Sequence, residues 1–212
     1  MKITKALVTT RVDNYFPELC AYTIPNLKRY AERIGADFFE ITERKSPDLY
    51  PSFEKLQVYD YAQHYDKTIL IDADIMLSPE APDFTESYNF DEIAMWMQFL
   101  IHTPEFSLWN PFDSKYFIKD GRNIGIVGAL TGCSKYTCDL FKPISKDFAK
   151  MQQDKIFRPA IIDEFCMSYN LAKYSYKWKW IPSGDYIYHA EMTTLNPKDF
   201  LDRVKEIDAK WR

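Results

Sequence analysis

The sequence predicts an α/β protein: one domain with a mostly parallel central sheet flanked by helices. Three observations predict it. Strand-like and helix-like signals alternate along the N-terminal third. The strand-like runs are apolar on both faces, as strands covered by helices on each side must be. The length, 212 residues, suits one such domain, and a chain of this size buries roughly 70% of its unfolded surface without help from disulfides or structural metal.

Each element has its own local reason. Ala6-Leu7-Val8-Thr9-Thr10 is a short apolar, partly β-branched run and reads as a first buried strand. From Phe16 to Ile34 the apolar positions Leu19, Ala21, Ile24, Leu27, Tyr30, Ala31 and Ile34 keep helical spacing, and Gly35 ends that helix. Residues 37–42 form a second strand. Ser52, followed by Lys55, Leu56, Tyr59 and Ala62, predicts a second helix with Ser52 as its N-cap. Thr68-Ile69-Leu70-Ile71 is a third strand that runs straight into acid.

Beyond it, residues 79–120 hold prolines and aromatics and read as loops and short strands. Residues 124–130 (IGIVGAL) read as an internal strand whose glycines allow close backbone approach. Residues 158–172 read as a helix beginning near Asp163. The final helix takes Asn196 as N-cap and Pro197 at its first position, with Leu201, Val204, Ile207 and Trp211 on one stripe. No repeat, low-complexity tract or linker interrupts the chain, so residues 1–212 are expected to form a single domain. Residues 1–78 would form one half of it and residues 79–212 the other.

Composition excludes several functions. The net charge is −4, which argues against nucleic acid as a partner, since phosphate backbones need a dense Lys/Arg surface. Lys173, Lys177 and Lys179 are the basic run of note and read as a solvated edge. The four cysteines lack metal-finger spacing and read as free buried thiols of a reducing compartment. No run approaches the about 18 apolar residues of a membrane span, and the start has no signal-peptide pattern. The expected setting is therefore the cytosol, with the chain acting alone or as a piece of a longer multidomain protein. Aromatic residues make up 17% of the chain, more than one core readily absorbs, so some rings are expected to line a cleft.

The chemistry concentrates at Asp72-Ala73-Asp74. Side chains two apart in an extended strand share a face, so both carboxylates would aim at one point past a strand's C-terminal end, where open α/β sheets bind ligands. Carboxylates suit hard cations such as Mn²⁺ and Mg²⁺, which also bridge diphosphates. Haloacid dehalogenase-type phosphatases want Thr or Val where Met76 stands. Nucleotidylyltransferases want a glycine-rich loop after the first strand, and Thr9-Thr10-Arg11-Val12-Asp13 has no glycine. Sugar transfer needs only the acidic pair. His189 follows Tyr186-Ile187-Tyr188 at an apparent strand end, where a neutral imidazole makes a good third ligand.

These residues resemble the family 8-like branch of GT-A glycosyltransferases, a Rossmann-like nucleotide-diphospho-sugar fold. The resemblance implies that Thr9, Thr10, Asp13 and Tyr15 lie in the uridine-binding region. Lys55, 72 − 55 = 17 residues before the first acid, would contact the donor diphosphate or sugar. Asn123 and Gly125 would edge the donor sugar, and Asp163-Glu164 would face the reacting sugar. His189 would complete the metal ligands. The chain departs from the pattern after His189: Ala190-Glu191-Met192 replaces the family's glycine and lysine. That leaves Lys55, Lys198 or Arg203 to steady the leaving diphosphate. The implied activity is retaining, Mn²⁺- or Mg²⁺-dependent transfer of a hexose from a UDP-sugar to a glycan acceptor. Two other readings stay open: a metal-dependent phosphohydrolase of nucleotide diphosphates, and a non-catalytic carbohydrate- or nucleotide-binding module.

Overall fold

A computed structural model describes residues 2–96, 118–119, 122–123, 126, 128–154, 159–182, 184–190 and 197–211. The order of elements opens as expected: β1 (Lys5–Thr10), α1 (Pro17–Ile34), β2 (Asp37–Ile41), α2 (Val58–Ala62) and β3 (Lys67–Ile71). β1 lies between β2 and β3 and pairs parallel with both. Alternation along these strands divides the core into two layers. Leu7, Ile69 and Ile71 face α1 through Leu27, Tyr30 and Ala31. Ala6, Val8 and Leu70 face the opposite way, towards Phe53, Leu56, Phe165 and Met167. Gly35 stops α1 in the left-handed conformation (φ 68°), and Ala36 N–H closes on the Ala31 carbonyl at 2.9 Å.

The second helix starts differently from the expectation. Pro51 takes the first position of a 3₁₀ turn, Pro51–Gln57, that leads into α2. Ser52 therefore sits inside the helical turn rather than capping it, because proline's fixed φ already starts the helical path one residue earlier.

After β3 come β4 (Ile75–Leu77), β5 (Glu92–Met95), the short hairpin strands β6 (Ile118–Lys119) and β7 (Arg122–Asn123), and β8 (Leu130–Ser134). Then follow α3 (Lys146–Gln153), α4 (Ile162–Tyr174), β9 (Lys177–Trp180), β10 (Ile187–His189) and α5 (Pro197–Trp211). The main sheet runs β2-β1-β3-β8-β5-β9, with β8 antiparallel to both neighbours and the remaining pairs parallel. The strand expected over residues 124–130 begins only at Leu130. Ile126 N–H bonds the Ser168 hydroxyl of α4 at 2.9 Å instead of a ladder partner, and Gly128 and Ala129 form a turn.

α4 and α5 bear out the helices expected there, Asn196 lying outside the described residues. α5 packs Val204, Ile207 and Trp211 with Leu19 of α1 and Met76 of β4. All four cysteines are free and buried. On the edge strand β9, Lys177 and Lys179 pair with Asp91 and Glu92 at 2.7 and 3.0 Å, while Lys173 on α4 is exposed. No helix among the described residues is long and apolar enough to cross a membrane.

Candidate functional site

The acidic pair does not lie in a continuous strand. β3 ends at Ile71, and Asp72, Ala73 and Asp74 form a turn closed by Ile75 N–H on the Asp72 carbonyl at 3.1 Å. Asp72 N–H donates to the Ala129 carbonyl at 2.8 Å, which fixes the turn against the start of β8. From the other side, buried polar residues of α1 hold it. Thr23 Oγ1 donates to the Ala73 carbonyl at 2.5 Å, and Asn26 exchanges two hydrogen bonds with Leu77 of β4, at 2.9 and 2.7 Å. The carboxylates therefore converge because a turn is clamped on two sides, not because of strand periodicity.

β4 pairs antiparallel with β10, placing His189 opposite Ile75. Asp72, Asp74 and His189 thereby offer ligand atoms all within 4.8 Å of one another. His189 Nε2 stands 3.4 Å from Asp74 Oδ1, a buried oxygen that receives no hydrogen bond among the described residues. Trp96 meets the His189 ring edge-on with centroids 5.9 Å apart. Two carboxylates and one imidazole form a donor set that suits Mn²⁺, and Mg²⁺ less closely.

A second acidic pair adjoins the first. Asp163 and Glu164 sit in the first turn of α4, where the helix dipole favours negative charge. Lys55 bridges the two groups, 2.7 Å from Asp72 Oδ1 and 3.3 Å from Asp163 Oδ2. Burial alone would lower the Lys55 pKa, but Asp163 and Asp72 outweigh it and hold the ammonium above its ordinary range. Burial raises the Asp72 carboxyl to about 6, opposed by Lys55 and assisted by the Asp74 charge. Burial and the neighbouring Asp163 charge raise Glu164 to about 8, and Glu164 Oε1 accepts a hydrogen bond from Gly128 N–H at 3.2 Å. The site thus carries more carboxylates than cations, an imbalance that a bound cation relieves.

The loop after β1 meets the acidic turn through Tyr15. Thr9 and Thr10 bring buried hydroxyls with no hydrogen-bond partner among the described residues. Asp13 and Asn14 take left-handed backbone (φ 54° each), a region these two residue types tolerate better than most. Phe16 also has positive φ, 28°, immediately before Pro17. Arg44 holds Asp13 at 2.8 Å. Tyr15 packs its ring against Cys20, Ile24 and Ala73 and donates its hydroxyl to Asp74 Oδ2 at 3.2 Å. Burial, then the Asp74 and Asp72 charges, raise the phenol's pKa and keep it protonated.

The expected residues thus divide. Tyr15, Lys55, Asp72, Asp74, Asp163 and His189 are linked by hydrogen bonds, ion pairs and close approach, and Glu164 adjoins Asp163. Thr9 and Thr10 end β1, the strand beside β3, and Asp13 lies in the loop after it. Asn123 falls in the hairpin strand β7, and Gly125 lies outside the described residues. Arg203 pairs with Glu206 on α5 at 3.1 Å. Gly128 was not singled out, yet it is the glycine that meets the acidic groups. A Cβ built on it would stand 2.5 Å from Asp163 Oδ2 and 3.4 Å from Lys55 Nζ. Its only sequence signal was membership of the glycine-containing run 124–130.

No protein-family model matches the sequence, and no curated protein does. Solved structures do share the fold. A glycosyltransferase involved in glycosylating the major capsid protein of PBCV-1 matches with TM-score 0.55 at 8% identity, over 96% of this chain and 99% of that one. The galactosyltransferase LgtC, solved with donor and acceptor sugar analogues, matches with TM-score 0.55 at 9% identity, over 97% of this chain and 96% of that one. The glycosyltransferase GlyE of Streptococcus pneumoniae TIGR4 matches with TM-score 0.50 at 10% identity, over 85% of this chain and 45% of that one. The chain therefore has the α/β fold of GT-A glycosyltransferases, with the sheet and flanking helices the sequence predicted.

Proposed function

We propose that this chain is a metal-dependent glycosyltransferase moving a hexose from a UDP-sugar to a glycan acceptor with retention of configuration. One observation carries the reading: in a fold shared with sugar transferases, Asp72, Asp74 and His189 converge within 4.8 Å at the end of β3. Asp72, Asp74 and His189 would hold Mn²⁺ or Mg²⁺. When bound, the cation supplies charge that steadies the donor's diphosphate as a leaving group.

The chain's own groups do the rest. Lys55 adds a partly buried positive charge beside Asp72 and towards the diphosphate. Thr9, Thr10, Asp13 and Tyr15 receive the nucleoside: the unpaired hydroxyls of Thr9 and Thr10 favour a base and ribose that satisfy them, and the Tyr15 ring stacks on the base. Asp163 and Glu164 face the sugar and favour the positive charge that develops at its anomeric carbon. Gly128 N–H orients the Glu164 carboxyl. The aromatic rings offer stacking faces to the acceptor.

The test is donor binding followed by thermal melting, with and without Mn²⁺. A UDP-sugar at about 100 times its dissociation constant adds about 2.7 kcal/mol, and UDP should outcompete GDP and ADP. Asp72→Asn and Asp74→Asn should each abolish the Mn²⁺-dependent part while melting as folded proteins. Product analysis should find UDP and an α-linked glycoside from an α-linked donor. Release of UMP or phosphate would instead make the chain a phosphohydrolase, and absence of any turnover with metal-independent binding would make it a binding module.

A further inference from the structure

The metal reading leaves one contact of Asp74 unexplained. Its Oδ1 faces His189, but its Oδ2 accepts the Tyr15 hydroxyl at 3.2 Å, across 59 residues of sequence. An ionised carboxylate only accepts hydrogen bonds, so the phenol is the donor. That bond fixes which oxygen Asp74 turns towards His189 and Asp72.

Tyr15 is itself held from several sides. Its amide donates to the Val12 carbonyl at 3.0 Å, and its carbonyl accepts Cys20 Sγ at 3.2 Å. Its ring rests on Cys20, Ile24 and Ala73, the last being the middle residue of the acidic turn. The left-handed residues Asp13 and Asn14 set the path of the loop before it, and Arg44 anchors Asp13. A side chain this constrained, meeting a ligand carboxylate through one hydroxyl, has the placement of the outer partners that orient metal ligands.

We infer that Tyr15 is a positioning residue for the metal, its hydroxyl holding the Asp74 carboxylate in ligating orientation and so tying the loop after β1 to cation affinity. This rests on the reading of Asp72, Asp74 and His189 as metal ligands. It assigns the hydroxyl work that base stacking, which uses only the ring face, does not require. Tyr15→Phe separates the two roles because it keeps the ring and removes only the oxygen.

The measurement is Mn²⁺ binding in the absence of nucleotide, by calorimetry or by electron paramagnetic resonance of the free ion, on the parent, Tyr15→Phe and Asp74→Asn. Tyr15→Phe should weaken Mn²⁺ binding by about 10- to 100-fold while melting close to the parent and keeping its preference for UDP over GDP. Asp74→Asn should lose binding altogether. Equal Mn²⁺ affinity in the parent and Tyr15→Phe would overturn the inference and leave the metal site standing. A parent that binds no Mn²⁺ would overturn both together. Loss of the UDP preference with Mn²⁺ affinity intact would return Tyr15 to a stacking role alone.

Discussion

At the scale of single residues, the site is organised by what is missing from one of them. Gly128 has no side chain, and the space a Cβ would fill is taken by Asp163, Met167 and Lys55, the nearest atom at 2.5 Å. Its backbone conformation is one an L residue adopts, so alanine there would add no backbone strain and would even reduce the freedom of the unfolded chain. The collision with Asp163 decides the outcome. Gly128→Ala should push that carboxylate off Lys55 and lower the rate of the proposed transfer by about 100-fold, the scale of a 1 Å misplacement. Melting should change little. Initial-rate assays beside a thermal melt check this, and parental activity in the variant would show that the Asp163–Lys55 pairing does not matter.

Single elements show what could be read in advance and what could not. β1, α1, β2 and β3 were legible because the strands are local apolar or β-branched runs and the helix between β1 and β2 keeps apolar periodicity up to Gly35. The second helix was misjudged at its first turn, where Pro51 rather than Ser52 begins the helical path. β8 was displaced along the chain, since the apolar run 124–130 suits either a strand or the buried approach to one, and only Ser168 on a distant helix decides between them. The acidic pair was legible as a motif, but its geometry depends on Asn26 and Thr23, which in the sequence look like polar residues misplaced on an apolar helix face. Asn26 satisfies both backbone groups of Leu77. Replacing it with leucine leaves those groups buried and unpaired, at a cost of about 1–3 kcal/mol each. Asn26→Leu should therefore lower the denaturation midpoint clearly and, by loosening β4, weaken Mn²⁺ binding as well. A variant with the parent's midpoint would mean water replaces the amide.

For the whole molecule, the clustered acids make stability depend on pH in an unusual direction. The folded values of Asp72 and Glu164, about 6 and about 8, lie above the ordinary 3.8 and 4.5. The folded protein therefore holds these protons more tightly than the unfolded chain does. The stability they contribute is complete below about pH 4 and is lost as pH rises through 6 and then 8. Metal-free protein should melt at progressively lower temperature between pH 5 and about 8.5, and Mn²⁺ should reverse the loss by compensating the charge. Glu164→Gln should flatten the upper part of that profile, and a variant with the parent's slope above pH 7 would remove Glu164 as its source. The pairing of β4 with β10 acts at this scale too, with a consequence for synthesis. His189 emerges from the ribosome 189 − 74 = 115 residues after Asp74, a wait of roughly 6 to 23 seconds at about 5–20 residues per second. Through that interval the nascent chain displays the acidic turn without its imidazole. A product of premature termination between residues 78 and 188 would carry the early strands and the aspartates yet lack the imidazole of the proposed ligand group, so that group is complete only once His189 has been added.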